Sequence, residues 1–256
     1  MNYLRLLSFI FLLGAVNPLG LLHAHDTRVY EIRTYYANDG KLDDLVARFR
    51  DHTTSLFAKH GIENVGYWVP KNNPDNKLIY IIAFPSRMDQ ESMWKSFQAD
   101  PDWKAAAKAS SKNGRLIKKI EAVFMQTTEY SMPIKKIKAT PERLFELRTY
   151  ICNEGKRRHL DARFRNHTIG LFEKHGIENI AYFHPTADQE GGANTLIYIV
   201  AHEDEEQREV AFGNQRADED WKSAATASVE RAGGRLTIEG GVTGELLVPT
   251  DFSDMQ

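Results

Sequence analysis

The amino-acid sequence predicts an α+β protein made of two tandem βαββαβ units whose sheets pack face to face. Two repeated segments and one repeated order of hydrophobic periods lead to this prediction. The segment ARFRDHTTSLFAKHGIEN (47–64) returns as ARFRNHTIGLFEKHGIEN (162–179), and VYEIRTYYANDGK (29–41) returns as LFELRTYICNEGK (144–156). Within each copy the period alternates between that of strands and that of helices. A repeat of this length is a domain rather than a solenoid unit, so the chain is a duplication.

The first copy begins with a strand and a helix. Residues 29–36 are β-branched and aromatic with alternation, which is typical of a strand, and Asp39 and Gly40 close it. Spacings of three and four then predict a helix that ends at Gly61. One face of this helix is formed by Leu42, Leu45, Phe49, His52 and Leu56.

The rest of the copy supplies three strands and a broken helix. Ser86 can cap a helix that breaks at Asp100 and Pro101 and restarts over 103–112. One such ferredoxin-like unit leaves a sheet face bare, and a tandem pair can cover both bare faces by packing sheet against sheet. We therefore expect a pseudo-two-fold barrel or sandwich within one chain. The three strands are predicted at 62–69, 78–84 and 120–128.

The domain boundaries follow from the repeat. Residues 27–131 form the first predicted domain, 132–142 the linker and 143–250 the second domain. Residues 1–24 have the short apolar run and the small residue before a cleavage site of a secretory signal peptide. An uncleaved anchor or a mitochondrial presequence is the alternative. We expect an exported protein, periplasmic or extracellular, without a stable membrane span after cleavage.

Composition excludes several classes of partner. A formal net charge of −2 lacks the basic footprint that nucleic acid requires. Cys152 is the single cysteine, so no internal disulfide can form, and we expect it to be a small buried residue. The nine histidines include no HExxH motif, and we expect neither a metal nor a cofactor. A homo-oligomer remains possible.

Four motifs resemble the NIPSNAP family. They are YEIRTY with GK, ARFRDHT with LFAKHGI, LIYIIAFPS and ADPDWKAA, and the second copy repeats each with small changes. The resemblance covers nearly all of the chain after the predicted signal. It implies an intramolecular dimeric α/β barrel, in a superfamily that includes cofactor-independent monooxygenases and binding proteins. NIPSNAP members have no settled activity, so the resemblance supports the fold more than the function.

Candidate binding residues lie on the first strand of each copy. Alternation places Glu31, Arg33 and Tyr35 on one side of the sheet, and we expect this side to face the space between the sheets. Such a lumen could hold a small organic ligand, with Arg33 and Arg148 clamping anionic oxygens. The alternative is a buried ion-pair network that fixes strand register. Further residues expected in this space are Glu146, Tyr150, Tyr67, Tyr80, Tyr182 and Tyr198.

Candidate catalytic residues are two histidines on otherwise apolar helix faces. His52 and His167 could act as general base or acid, with Glu31 and Glu146 as alternative bases. A structural role that ties helix to sheet is the other interpretation of both histidines. The predicted function is a small-molecule-binding or assembly module with a polar cavity between the sheets. The alternative is a cofactor-independent enzyme, monooxygenase-like or isomerase-like, acting on a small aromatic or carboxylic acid.

Two further histidines precede Gly61 and Gly176 in the last helical turn. A cation there interacts favourably with the helix carbonyls, so His60 and His175 are predicted to cap the helix. The copies also differ, for example where His202 replaces Phe84. The sequence leaves open whether one half has become silent.

Overall fold

The computed structural model describes residues 26–136, 138–139 and 142–256, so the predicted signal peptide at 1–24 lies outside it. Within those ranges no helix is both long and apolar enough to cross a membrane. The first half of the barrel begins with strand β1, and two short helices separated by a π-helical turn follow it. Its elements are β1 (Val29–Ala37), α1 (Leu42–Arg48), the π-helical turn (Phe49–Thr53), α2 (Thr54–Lys59), β2 (Glu63–Pro70), β3 (Lys77–Phe84), α3 (Arg87–Ala99), α4 (Pro101–Ser110) and β4 (Ile117–Thr127).

The second half repeats this order. Ser86 caps α3 by accepting from the Asp89 backbone N–H at 3.2 Å, and Asp204 caps the equivalent helix of the second half, as the duplication requires. The elements of the second half are β5 (Leu144–Cys152), α5 (Arg157–Arg163), a second π-helical turn (Phe164–Thr168), α6 (Ile169–Lys174), β6 (Glu178–Pro185), β7 (Thr195–His202), α7 (Glu205–Ala217), α8 (Glu219–Ala232) and β8 (Thr237–Pro249).

The eight strands close into one antiparallel barrel in the order β1-β3-β2-β8-β5-β7-β6-β4. Two strand pairs join the halves. On one side Trp68 of β2 pairs with Pro249 of β8, and on the other Met125 of β4 pairs with Pro185 of β6. The predicted α+β duplication is confirmed, and the barrel rather than the open sandwich is the form that it takes. Closure leaves no free sheet edge between the halves.

The interior of the barrel is apolar, and the prediction of a polar lumen there is wrong. Tyr30 and Ile32 of β1 lie in this interior with Phe145 and Phe183 of the other half. Alternation then turns the polar residues of β1 outward, toward the helices. Sequence alternation groups the residues correctly but does not say which group faces inward. In a closed barrel both faces of each strand are buried, and the lumen, which is farther from water, takes the more apolar group.

The π-helical turn explains why the histidine face was predicted incorrectly. A π turn adds one residue to the helix, so the residues that follow it rotate around the helix axis. Thr53 is therefore buried and donates through Oγ1 to the Arg48 carbonyl at 3.2 Å, while His52 is exposed. The second half has the same turn, and there Thr168 is buried and His167 exposed.

The segment after each half packs against the other half. After β8, Ser253 Oγ accepts from the Tyr67 backbone N–H at 3.0 Å, and Met255 enters the barrel interior. After β4, Ser131 Oγ accepts from the Tyr182 backbone N–H at 3.1 Å. Because each tail belongs to one half and contacts the other, the exchange ties the two halves into one folding unit.

Candidate functional site

The polar residues of β1 lie beneath the helices of the first half. Glu31 is buried and accepts hydrogen bonds from Arg33 Nη1 and, at 3.1 Å, from Trp94 Nε1. The Arg33 guanidinium stacks on the Trp94 ring, with 4.7 Å between Cζ and the ring centroid. The rings of Tyr35 and Tyr80 meet at 5.3 Å. The structure therefore brings these predicted residues together, but between helices and sheet rather than in the barrel interior.

The corresponding carboxylate of the second half has more partners. Arg208 of α7 donates to both oxygens of Glu146, at 2.6 and 2.9 Å, and Arg148 Nη1 donates to Oε1. His202 Nε2 lies 3.5 Å from Oε2. Burial alone would raise the pKa of Glu146, but the contacts with His202 and Arg208 outweigh it and hold this pKa well below its ordinary value.

The arginine–tyrosine pairs of β1 and β5 also differ. Arg148 Nε donates to Tyr198 Oη at 2.8 Å, and Arg148 Nη2 lies 3.3 Å from Tyr150 Oη. At the same positions of the first half, Arg33 Nε and Tyr80 Oη are buried and have no hydrogen-bond partner within the described residues. In this arginine–tyrosine pair the second half is therefore bonded, whereas the first half leaves Arg33 Nε and Tyr80 Oη without partners among the described residues. Other buried atoms of the second half, including Arg163 Nε and both His202 ring nitrogens, also have no hydrogen-bond partner there.

The remaining predicted tyrosines are part of the scaffold. Tyr67 stacks on Tyr80 with 5.3 Å between ring centroids, and its hydroxyl donates to Asn64. Asn64 Nδ2 in turn donates to the Thr54 carbonyl at 3.0 Å, at the start of α2. Tyr182 makes the equivalent contacts in the second half. Neither Tyr67 nor Tyr182 faces the barrel interior, because both pack in the helix-facing cores.

Arg48 is a buried cation that was not among the residues predicted to form a site. It is 7% exposed, its Nε has no hydrogen-bond partner, and no carboxylate pairs with it among the described residues. Its guanidinium lies over the Trp103 ring, 5.3 Å from the centroid, and near the Tyr35 and Tyr80 phenols. Burial lowers the pKa of Arg48. The signal in the sequence was an arginine three residues after Leu45, on the face that the helix buries.

An open pocket of about 310 Å³ lies beside Arg48, where α4 ends and β4 begins. Its polar lining is cationic apart from one hydroxyl group. Arg115 and Lys118 are exposed and have no carboxylate partner in the part of the chain that the structure describes, whereas Lys119 pairs with Glu121 at 2.5 Å. The polar lining residues are Arg48, Ser111, Arg115, Lys118 and Lys119.

The second half provides its equivalent arginine with a partner. Arg163 Nη1 donates to Ser228 Oγ at 3.3 Å, although Arg163 Nε is also unpaired. Ser110, which aligns with Ser228, instead donates to the Ala106 carbonyl of its own helix at 2.8 Å. Helix α8 has 14 residues and α4 has 10, so the two halves differ where α4 stops short.

The predicted catalytic histidines are not buried. His52 and His167 lie on the solvent side of the helix layer, away from Glu31 and Glu146, which are 1% exposed. The structure therefore does not bring either imidazole together with its predicted carboxylate. His167 instead lines an open groove beside α8.

The histidines before Gly61 and Gly176 join two helices. His60 Nε2 lies 2.6 Å from Asp100 Oδ2, and Asp100 Oδ1 accepts from the Asp102 backbone N–H at the start of α4. Hydrogen bonds from Lys59 and His60 hold the pKa of Asp100 well below its ordinary value. The second half repeats this arrangement around Asp218. Much of the repeated KHGIEN segment is thus explained by scaffold contacts.

Metal binding has no structural support in the described ranges. No group of three or more histidine, cysteine, aspartate or glutamate side chains there is arranged to hold a metal ion. Cys152 is buried, and burial raises the pKa of its thiol to about 11.

Comparison with known proteins identifies relatives of each half and of the whole barrel. The NIPSNAP family model matches residues 30–132 and 145–254. A NIPSNAP family protein of unknown function from Agrobacterium tumefaciens is 28% identical, and its match covers 41% of this chain and 93% of that one, with a TM-score of 0.36. No curated protein matches the chain.

Other solved structures match both halves together. An anthrone oxidase-like protein is 13% identical, and its match covers 90% of this chain and 95% of that one, with a TM-score of 0.54. A candidate monooxygenase from Lactobacillus acidophilus NCFM is 10% identical, covering 88% and 94% of the two chains, with a TM-score of 0.56. At these identities the likeness shows a shared fold and no more.

Proposed function

The chain belongs to the NIPSNAP family, and we propose that it is a binding protein whose first half holds a small organic anion between helices and sheet. One observation carries this proposal. Arg33 Nε, Arg48 Nε and Tyr80 Oη are buried and have no hydrogen-bond partner in the part of the chain that the structure describes, whereas Arg148 Nε donates to Tyr198 Oη. Buried donors without acceptors cost free energy, and a site that leaves several together is suited to an acceptor from outside.

The charges beneath the helices support an anionic ligand. Glu31 accepts a hydrogen bond from Arg33, and no carboxylate of the described residues pairs with Arg48. Two guanidiniums against one carboxylate leave an excess positive charge in a region shielded from water. A carboxylate or phosphate oxygen would pair with a guanidinium through charge-assisted hydrogen bonds, and the neighbouring phenols could donate further bonds. Such a ligand would also need an apolar body, because aromatic rings surround these groups.

Binding is favoured over catalysis by where the candidate bases lie. His52 is exposed, and Glu31 is held by Arg33 and Trp94. A general base needs a free lone pair within reach of the proton that it removes. The enzyme hypothesis, with His52 or Glu31 as base, therefore has less support than a binding role.

A thermal-shift screen of small aromatic acids tests the proposal. Benzoate, phenylacetate and salicylate should raise the melting temperature of the whole chain, because a ligand that binds only the folded state stabilises it. Arg33→Lys should reduce the shift, since lysine cannot reproduce the planar guanidinium. The matched variant Arg148→Lys should retain the full shift. If no acid shifts the melting temperature, or if Arg148→Lys removes the shift instead, the proposal fails.

We further propose that this binding protein is exported, on the basis of the signal-like residues 1–24. Amino-terminal sequencing of the protein recovered from the periplasmic or extracellular fraction should begin near His25. Recovery of the full-length chain from the cytoplasm alone would contradict export.

A further inference from the structure

We propose that the pocket beside Arg48 is the head-group site of this ligand, and that it selects a phosphate monoester of a small apolar group over a carboxylate. This inference rests on the proposed function and names the ligand class. The pocket lies where α4 ends and β4 begins. The equivalent place in the second half is lined by different residues.

The pocket combines a buried guanidinium with exposed cations. Arg48 lines the pocket and is only 7% exposed, and its Nε has no hydrogen-bond partner among the residues that the structure describes. Arg115 and Lys118 stand at its rim, and Ser111 adds a hydroxyl group. Lys119 adds little positive charge for a ligand, because its ammonium group already pairs with Glu121.

Three cations that pair with no carboxylate in the described ranges match a dianion better than a monoanion. A phosphate monoester carries about −1.5 to −2 charges at pH 7 and offers three acceptor oxygens. A guanidinium matches phosphate geometry through two parallel hydrogen bonds, and lysine contributes a point charge. A carboxylate would satisfy Arg48 but leave the rim cations without a partner.

The apolar part of the lining accounts for the rest of the ligand. Leu116, Ile117 and Ile120 line the same pocket, and Trp103 stacks on Arg48. Inorganic phosphate would leave these side chains uncovered, whereas an aromatic or aliphatic ester group would contact them. A volume of about 310 Å³ is at the lower end of the range for small-molecule pockets.

The second half lacks this charge pattern. In sequence, Lys118 and Lys119 correspond to Ile238 and Glu239. Arg163 has Ser228 of α8 as a partner, whereas the aligned Ser110 of α4 donates to the Ala106 carbonyl of its own helix. The duplicated position therefore provides an internal control in the same molecule, with Arg235 in the place of Arg115.

Calorimetric titration of the whole chain at pH 8 and low salt tests this selectivity. The probes are phenyl phosphate, benzoate and inorganic phosphate. Phenyl phosphate should bind about tenfold more tightly than either of the others, because it alone supplies both the second charge and the apolar group. Lys118→Gln and Arg115→Gln, both exposed and therefore expected to fold, should each weaken phenyl phosphate binding about threefold or more and affect benzoate less. Arg235→Gln should change neither affinity.

The outcomes separate the two proposals. If benzoate binds as tightly as phenyl phosphate, or if both rim variants leave the preference unchanged, the head-group assignment is overturned while a binding role stands. If inorganic phosphate binds as tightly as phenyl phosphate, the apolar component is overturned. If neither aromatic anion binds, the proposed function falls together with this inference.

Discussion

Arg148 donates through Nε to the hydroxyl group of Tyr198 at 2.8 Å, and this bond joins β5 to β7 beneath the helices. The corresponding atoms of Arg33 and Tyr80 in the first half are buried and unpaired within the described residues. The two copies of the duplicated unit thus differ in whether this arginine–tyrosine pair is hydrogen-bonded. In the second half this arginine–tyrosine pair is bonded, and in the first half it is open at the place where we propose that a ligand binds.

Removing the two tyrosine hydroxyls should have unequal effects on stability. Tyr198→Phe takes away the acceptor of Arg148 Nε and leaves a buried donor unpaired, so it should lower the free energy of unfolding by about 1–2 kcal/mol. Tyr80→Phe removes a hydroxyl group that has no partner and should leave stability unchanged or slightly higher. Urea unfolding of both variants without ligand measures the difference. Equal losses would contradict the contrast between the halves.

The π-helical turn predicts which neighbour of the repeated histidine matters for stability. Thr53 is 1% exposed and its hydroxyl bonds the Arg48 carbonyl, so Thr53→Ala should lower the free energy of unfolding by about 1 kcal/mol. His52 is exposed, and His52→Ala should change the free energy of unfolding by less than about 0.5 kcal/mol. Thermal unfolding of the Thr53→Ala and His52→Ala variants tests which residues the helix buries after the π-helical turn. A larger loss for His52→Ala would show that the register is wrong.

The segment after β8, which packs against the first half, should contribute strongly to stability. Met255 is 2% exposed in the barrel interior, so Met255→Ala should lower the free energy of unfolding by about 2–5 kcal/mol. Met88 is 81% exposed, and Met88→Ala is the matched control with no more than about 0.5 kcal/mol of change. The denaturant midpoints of the two variants measure these two changes in stability. If the two variants unfold alike, the tail does not hold the halves together.

The helix junction at Asp100 should give a pH-dependent contribution to stability. Hydrogen bonds from Lys59 and His60 hold the pKa of Asp100 below its ordinary 3.8. Because the folded-state pKa is the lower one, the contribution is present above pH 3.8 and is lost as pH falls below it. Asp100→Asn keeps a helix-capping residue but not the charge, so the variant should be less stable than the wild type at neutral pH.

The pH dependence of this difference is the decisive part of that experiment. The gap in urea midpoint between wild type and Asp100→Asn should narrow as pH is lowered from about 5 toward 3. The exposed Glu239→Gln serves as a control and should follow the wild type. A gap that stays constant with pH would mean that the charge of Asp100 is not what stabilises the junction.

The repeat and the order of strands and helices along the chain were predictable because periodicity and duplication are properties of the chain itself. The side of the sheet that Glu31, Arg33 and Tyr35 face was not, since alternation groups residues without saying which group enters a closed barrel. The position of His52 was missed for a related reason. One extra residue in a helical turn rotates everything after it, and no hydrophobic pattern of the preceding turn reveals that insertion.

The pocket beside Arg48 depends on features that the sequence shows only in part. The copies differ in length between Trp103 and Arg115 on one side and Trp221 and Arg235 on the other. That difference indicates a longer helix in one half. Whether the shorter helix leaves a pocket, and which side chain stands in it, depends on packing between α1, α4 and β4, which periodicity does not describe.

The stoichiometry of ligand binding tests the central claim most directly. Titration calorimetry of the whole chain with benzoate and with phenyl phosphate should give one bound molecule per chain. Arg48→Met, shown to be folded by circular dichroism, should abolish binding, and Arg163→Met should retain it. Two molecules per chain, or loss of binding in Arg163→Met with retention in Arg48→Met, would contradict the account that the first half alone holds the ligand.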